Sequence, residues 1–125
     1  MSEPLGEFAH RHVASTYVAR EGGGVISTAH WEGLATGYGA VFGSLIFDVP
    51  DGATSGSIQW VGQAFPEGTP YVNGSGSGTW EQVEGAHCWN VHIPLLTVSN
   101  GDRLRCEGQV DLATRTFTGK MYRAD

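Results

Sequence analysis

In the run Gly74-Ser75-Gly76-Ser77-Gly78-Thr79-Trp80, glycine takes every second position, and no other feature of the chain limits its fold as tightly. Successive side chains of a strand point to opposite faces, so such a run leaves one face bare. A bare face lets a sheet bend sharply, or makes room for a bulky group opposite. Glycine kinks of this kind are what a small sheet needs in order to curl into a barrel. Nineteen glycines in 125 residues, set among aromatic, β-branched and small polar residues, extend the same argument along the chain. No segment sustains an apolar 3.6-residue period with caps, so no long helix is expected.

Period-two patterning recurs in eight runs: Phe8 to Ala19, Val25 to Thr36, Ala40 to Val49, Gly56 to Phe65, Val72 to Val83, Ala86 to Val98, Arg103 to Leu112 and Thr116 to Tyr122. Turn signals separate most of them, among them Glu21-Gly22-Gly23-Gly24, Pro50-Asp51-Gly52, Glu84-Gly85 and Ser99-Asn100-Gly101-Asp102. The short links imply antiparallel meander connections. Eight strands of this length close more naturally than they lie open with two long edges. The expected architecture is all-β: one domain over residues 1–125, a single eight-stranded, mainly antiparallel β-barrel.

Alternation also sorts the faces. Leu104, Cys106, Gly108, Val110 and Leu112 are expected inside, against an outer set of Arg103, Arg105, Glu107, Gln109 and Asp111. Ile58, Trp60, Gly62 and Ala64 form a second inner set; Phe117, Gly119 and Met121 a third; Gly74, Gly76, Gly78 and Trp80 a fourth. Trp31, Trp60, Trp80 and Trp89 thus fall on the inner faces of four strands. Two readings stay open: the indoles fill the barrel as core, or they line a pocket for an apolar ligand.

Composition narrows the partners. Hydrophobic residues make up 40% of the chain and charged residues 16%, which argues against disorder. The formal charge is −6, and the seven basic residues form no patch, so nucleic acid is not an expected partner. No apolar run reaches the ~18 residues a membrane helix needs, and the first residues lack a basic segment followed by an apolar one. No membrane partner is expected, and the cytoplasm is the expected compartment. The Ser99–Asp102 turn sets Cys106 roughly opposite Leu95, with Cys88 about seven residues, or ~20 Å, further along. A disulfide requires Cα atoms within ~7 Å, so two free thiols are expected.

Chemistry concentrates in two places. In Glu84-Gly85-Ala86-His87-Cys88-Trp89-Asn90-Val91-His92, His87 shares a face with inward Trp89 and is the candidate general base. Cys88 is a strand neighbour of His87 and points away from it, which makes a poor nucleophilic dyad and a good core residue. His10-Arg11-His12 places two imidazoles on one strand face, with His87, Glu32 or Glu81 as a possible third metal ligand. This His-x-His resembles the cupin motif, but no glutamate follows at short spacing. His30 and Glu32 are expected to face outward together, as is Glu81. No Ser-His-Asp spacing, phosphate-cradling loop or CxxC is present, and no cofactor is expected.

The segment from Arg103 to Tyr122, with Gly78-Thr-Trp-Glu-Gln-Val-Glu-Gly85 before it, resembles the closing hairpins of small calycin-type barrels, in particular the allene-oxide-cyclase-like group. The likeness spans roughly residues 33 to 122 and lies in glycine placement and strand rhythm; no catalytic residue of that group maps onto this chain. The resemblance implies an eight-stranded barrel, often homo-oligomeric, with an apolar small molecule in its lumen. The leading functional expectation is a cofactor-independent isomerase, cyclase or lyase acting on a small hydrophobic metabolite, with His87 catalytic and the four tryptophans binding substrate. The alternatives are a non-catalytic small-molecule-binding barrel, a cupin-like metalloenzyme centred on His10 and His12, and a structural module defined by its outer surface.

Overall fold

A computed structural model describes residues 3–124. Eight strands follow one another: β1 (Gly6–Ala19), β2 (Val25–Ala35), β3 (Gly39–Val49), β4 (Ser55–Phe65), β5 (Val72–Gln82), β6 (Cys88–Val98), β7 (Arg103–Asp111) and β8 (Thr116–Arg123). Each pairs antiparallel with the next, and β1 also pairs with β8 through Gly6–Arg11, which closes the ring. The expected eight-stranded meander barrel is therefore the observed fold. Among the described residues, no helix is long and apolar enough to cross a membrane.

Glycine makes both the turns and the interior. Gly22, Gly23 and Gly24 in the β1–β2 turn, and Gly85 and Gly101 in later turns, all hold positive φ, where a side chain is strained. Inside, the bare strand faces are occupied by rings. A Cβ on Gly43 would stand 2.3 Å from Trp60, and one on Gly62 2.8 Å from the same indole. Gly56 lies 2.7 Å, on the same measure, from the Trp80 indole nitrogen, and Gly108 and Gly119 lie under Phe8. The absent side chains are thus the space into which aromatic groups lie flat against the wall.

The inner faces follow the expected alternation, with two corrections. Leu112 is exposed because β7 ends at Asp111, leaving Leu112 in the turn. Cys106 pairs with Ile93 rather than Leu95, because β6 carries a bulge at Pro94 against both neighbours. Proline has no N–H to give a ladder, so a bulge is where it fits. The bulge presses the β6 backbone onto β5: a Cβ on Gly78 would stand 1.8 Å from the His92 carbonyl oxygen. Cys88 stands five residues before Ile93, roughly 16 Å at strand rise, and both cysteines are free.

The two ends of the barrel differ. At the end where β3 and β5 finish and β4 and β6 begin, Phe47, Ile58, Trp80 and Val91 are all buried, and the Phe47 and Trp80 rings lie 6.3 Å apart. The other end sets small groups, Ala35, Ala64, Val72 and Val98, beside Leu96, Leu104 and Met121, and a void remains among them. One end is plugged and the other is not.

Alanine at three glycines separates these roles. Gly43→Ala and Gly78→Ala should each cost about 1–3 kcal/mol or more, through overpacking against a fixed ring and a carbonyl respectively. Gly74→Ala, whose Cβ would meet nothing closer than 3.5 Å, should leave stability nearly unchanged. Urea denaturation of the three variants measures the difference.

Candidate functional site

Beneath the unplugged end lies a cavity of about 80 Å³. Phe8, Trp60, Ile93, Leu96, Phe117 and Met121 supply much of its lining, and Gly62 and Gly74 leave the wall thin. The polar side-chain groups that face it are the His10 imidazole, the Tyr38 phenol and the Cys106 thiol, whereas the Gln63 amide is turned outward onto Asn73.

His10 is the chemical centre of this cavity. Strand alternation sends Phe8, His10 and His12 inward from β1, and His10 is 5% exposed. Its ring is stacked between Phe8, with centroids 5.3 Å apart, and Trp60, 5.7 Å away and tilted by 12°. A Cβ on Gly33 would stand 2.6 Å from His10 Nδ1, so glycine at that position is what admits the imidazole. Nδ1 has no well-formed hydrogen bond. Burial pushes the pKa of His10 down to about 4, a shift that the adjacent Ala9 backbone partly offsets. At neutral pH the ring is an uncharged base.

Cys106 and Tyr38 are also neutral. Burial, with Glu107 adding to it, pushes the Cys106 thiol up to about 12, so it is not a ready nucleophile. Burial likewise raises Tyr38, followed by its hydrogen bond to Asp102 and the charge of that carboxylate. The Tyr38 hydroxyl donates to Asp102 Oδ2 at 2.5 Å. Tyr38 sits between β2 and β3, and Asp102 between β6 and β7, on opposite sides of the eight-strand ring. This hydrogen bond is a strap across the mouth, with Tyr38 also forming part of the cavity lining.

Several expected site residues lie elsewhere. His87 is exposed in the turn before β6; its carbonyl accepts a hydrogen bond from the Leu112 N–H at 3.2 Å, and its ring does not face the lumen. The alternation that placed it inside starts at Cys88, after the Glu84-Gly85 turn has used up the intervening residues. All four tryptophans point inward, but Trp60 alone of the four lines the cavity. Trp31 and Trp80 are buried core, with the Trp80 indole donating to the Asp48 carbonyl at 3.1 Å. Trp89 is half-buried against that core.

The metal reading loses its third ligand. His10 and His12 do share a face, but His12 Nε2 is engaged with Ser15 Oγ at 2.6 Å. Glu32 faces outward and pairs with Arg11, while Glu81 and His87 are exposed. Among the described residues, no three His, Cys, Asp or Glu side chains are grouped to hold a metal ion. His30 faces outward as expected, bonded to Ser44 Oγ at 2.8 Å.

The low pKa of His10 has a consequence for stability. The unfolded chain takes up the proton near the ordinary value of 6.5, whereas the folded chain takes it up only near 4. Stability tied to this group is full above pH 6.5 and is lost as pH falls from there toward 4, by up to about 3 kcal/mol. His10→Leu should remove that part of the acid sensitivity, as read from denaturation midpoints across this pH range.

No family model matches the chain, and no curated protein or solved structure matches it either.

Proposed function

We propose that the barrel is a small-molecule-binding protein whose ligand is compact, uncharged and largely apolar. The observation that carries this reading is the cavity itself: apolar walls around one buried, unprotonated imidazole, beneath a mouth spanned by a single side-chain strap. Ligand sites of this type pair apolar walls with a few polar groups that fix orientation. A charged ligand would be desolvated here without a counter-charge, which is costly. An O–H or N–H donor on an otherwise apolar molecule would find its acceptor in His10.

Size sets the terms of entry. About 80 Å³ is roughly half of the ~150 Å³ that holds benzene in an engineered apolar cavity. A ligand larger than a few heavy atoms therefore needs Tyr38 to swing away from Asp102, which would join the cavity to a surface depression bordered by Thr36, Tyr38, Tyr71 and Asp102. The cost is one hydrogen bond to a carboxylate, about 1.5–3 kcal/mol.

The second reading is the cofactor-independent isomerase, cyclase or lyase. It is favoured by the position of His10, a neutral base lining a largely apolar cavity and able to move a proton on a bound carbon acid. It stands second because a base with a pKa near 4 is far from the value that serves proton transfer best at neutral pH.

Phenol and benzene are the probes. Each should change Trp60 fluorescence in the wild-type protein, and Gly74→Leu, which fills the cavity, should abolish the response at unchanged fold. Tyr38→Ala should speed association. A wild-type protein whose tryptophan emission and thermal midpoint ignore every compact apolar probe would end the binding reading. Turnover of any bound compound that disappears in His10→Gln while its affinity persists would favour the enzyme.

A further inference from the structure

The barrel ring is staggered, and the stagger leaves one strand half-paired. β1 is bonded to β8 through Gly6–Arg11 and to β2 along nearly its whole length, to Ala19. From Val13 onward, among the described residues, β2 is its one strand partner. The segment Val13-Ala14-Ser15-Thr16-Tyr17-Val18-Ala19 therefore presents a free backbone edge, and a free edge is a template for another strand. Val13, Tyr17 and Val18 are 57%, 67% and 64% exposed. The segment holds no charge, no proline and no glycine. A bulge between His12 and Ala14 marks where β1 leaves β8, but the six residues beyond it carry no lysine or proline to block pairing.

We propose that this edge joins the same edge of a second copy, antiparallel across a two-fold axis at Thr16, so that the two sheets become continuous. The sequence of the segment selects this occupant over a foreign peptide. Reversed upon itself about Thr16, it sets Ala14 against Val18, Ser15 against Tyr17 and Val13 against Ala19. Each pair matches a small side chain with a larger one, and each pair falls on one face of the shared sheet. Two chains of charge −6 repel, and an uncharged edge lets them meet without placing like charges in register. A two-fold contact of this kind is self-complementary and closes at the dimer.

Sedimentation velocity at micromolar concentration, with hydrogen exchange of the β1 amides, tests the register directly. The wild-type protein should be a dimer, with those amides of residues 13–19 that do not bond to β2 protected, and that protection lost on dilution. Ala14→Lys with Val18→Lys places lysine against lysine and should raise the dissociation constant about 10-fold or more. Ala14→Lys with Val18→Glu places lysine against glutamate twice in the same register and should restore the dimer. Circular dichroism and the thermal midpoint should be alike in the two variants, since these exposed side chains do not enter the core. A wild-type monomer in which those edge-facing amides exchange fast overturns the proposal. So does a dimer that ignores both variants, or one that both disrupt equally.

Discussion

The packing of aromatic rings against glycine backbone is the interaction on which the rest of this barrel depends. A small closed sheet encloses too little width for large side chains to meet across it from ordinary positions. Here Trp60 lies over Gly43 and Gly62, Trp80 over Gly56, and Phe8 over Gly108 and Gly119. Each indole buries roughly 150–250 Å², worth about 4–6 kcal/mol by area. Glycine costs roughly 0.5–1 kcal/mol in a strand, so one ring outweighs the two glycines beneath it. The two features of the sequence that stand out most, many glycines and four tryptophans, are thus one device.

That pairing explains why the strands were legible and the lumen was not. All eight strands lie within two residues of the boundaries read from alternation and turn glycines, because turn chemistry is local. Whether the glycine faces stay empty depends on which ring crosses to which strand, and that is set by register between strands. The same limit governs the site. His10 shares a face with Phe8 by simple alternation, but its burial between Phe8 and Trp60 follows only once β1 and β4 are placed across the barrel. Tyr38 and Asp102 stand 64 positions apart in two turns that nothing local links, and ring closure brings them together. His87 failed for the opposite reason: alternation was extended one step into a turn where it no longer holds.

Burying an imidazole is a cost that the fold carries without an evident structural return. His10 Nδ1 lacks a well-formed hydrogen bond, and the ring must stay uncharged to remain where it is. A leucine or phenylalanine of similar size would fill the same slot between two rings with no desolvated nitrogen. Departures of this kind from the cheapest packing gather at functional sites. His10 also lines the cavity beneath the mouth, which places the costly residue where the packing is loose.

The asymmetry of the two ends gives that coincidence a direction. The end holding Phe47, Trp80 and Ile58 is sealed by rings and branched side chains that cannot move without disturbing several neighbours. At the other end Ala35, Ala64 and Val72 leave a void beside Leu96, Leu104 and Met121, and the contact that spans the mouth is made by one side chain on a turn. Opening the sealed end would require breaking the core, whereas opening the mouth requires a rotation of Tyr38 and the loss of one hydrogen bond. Any molecule that reaches His10 therefore comes through the mouth. It meets Tyr38 first, then small aliphatic groups, and the imidazole last, so the order of contacts along the path is set by the fold.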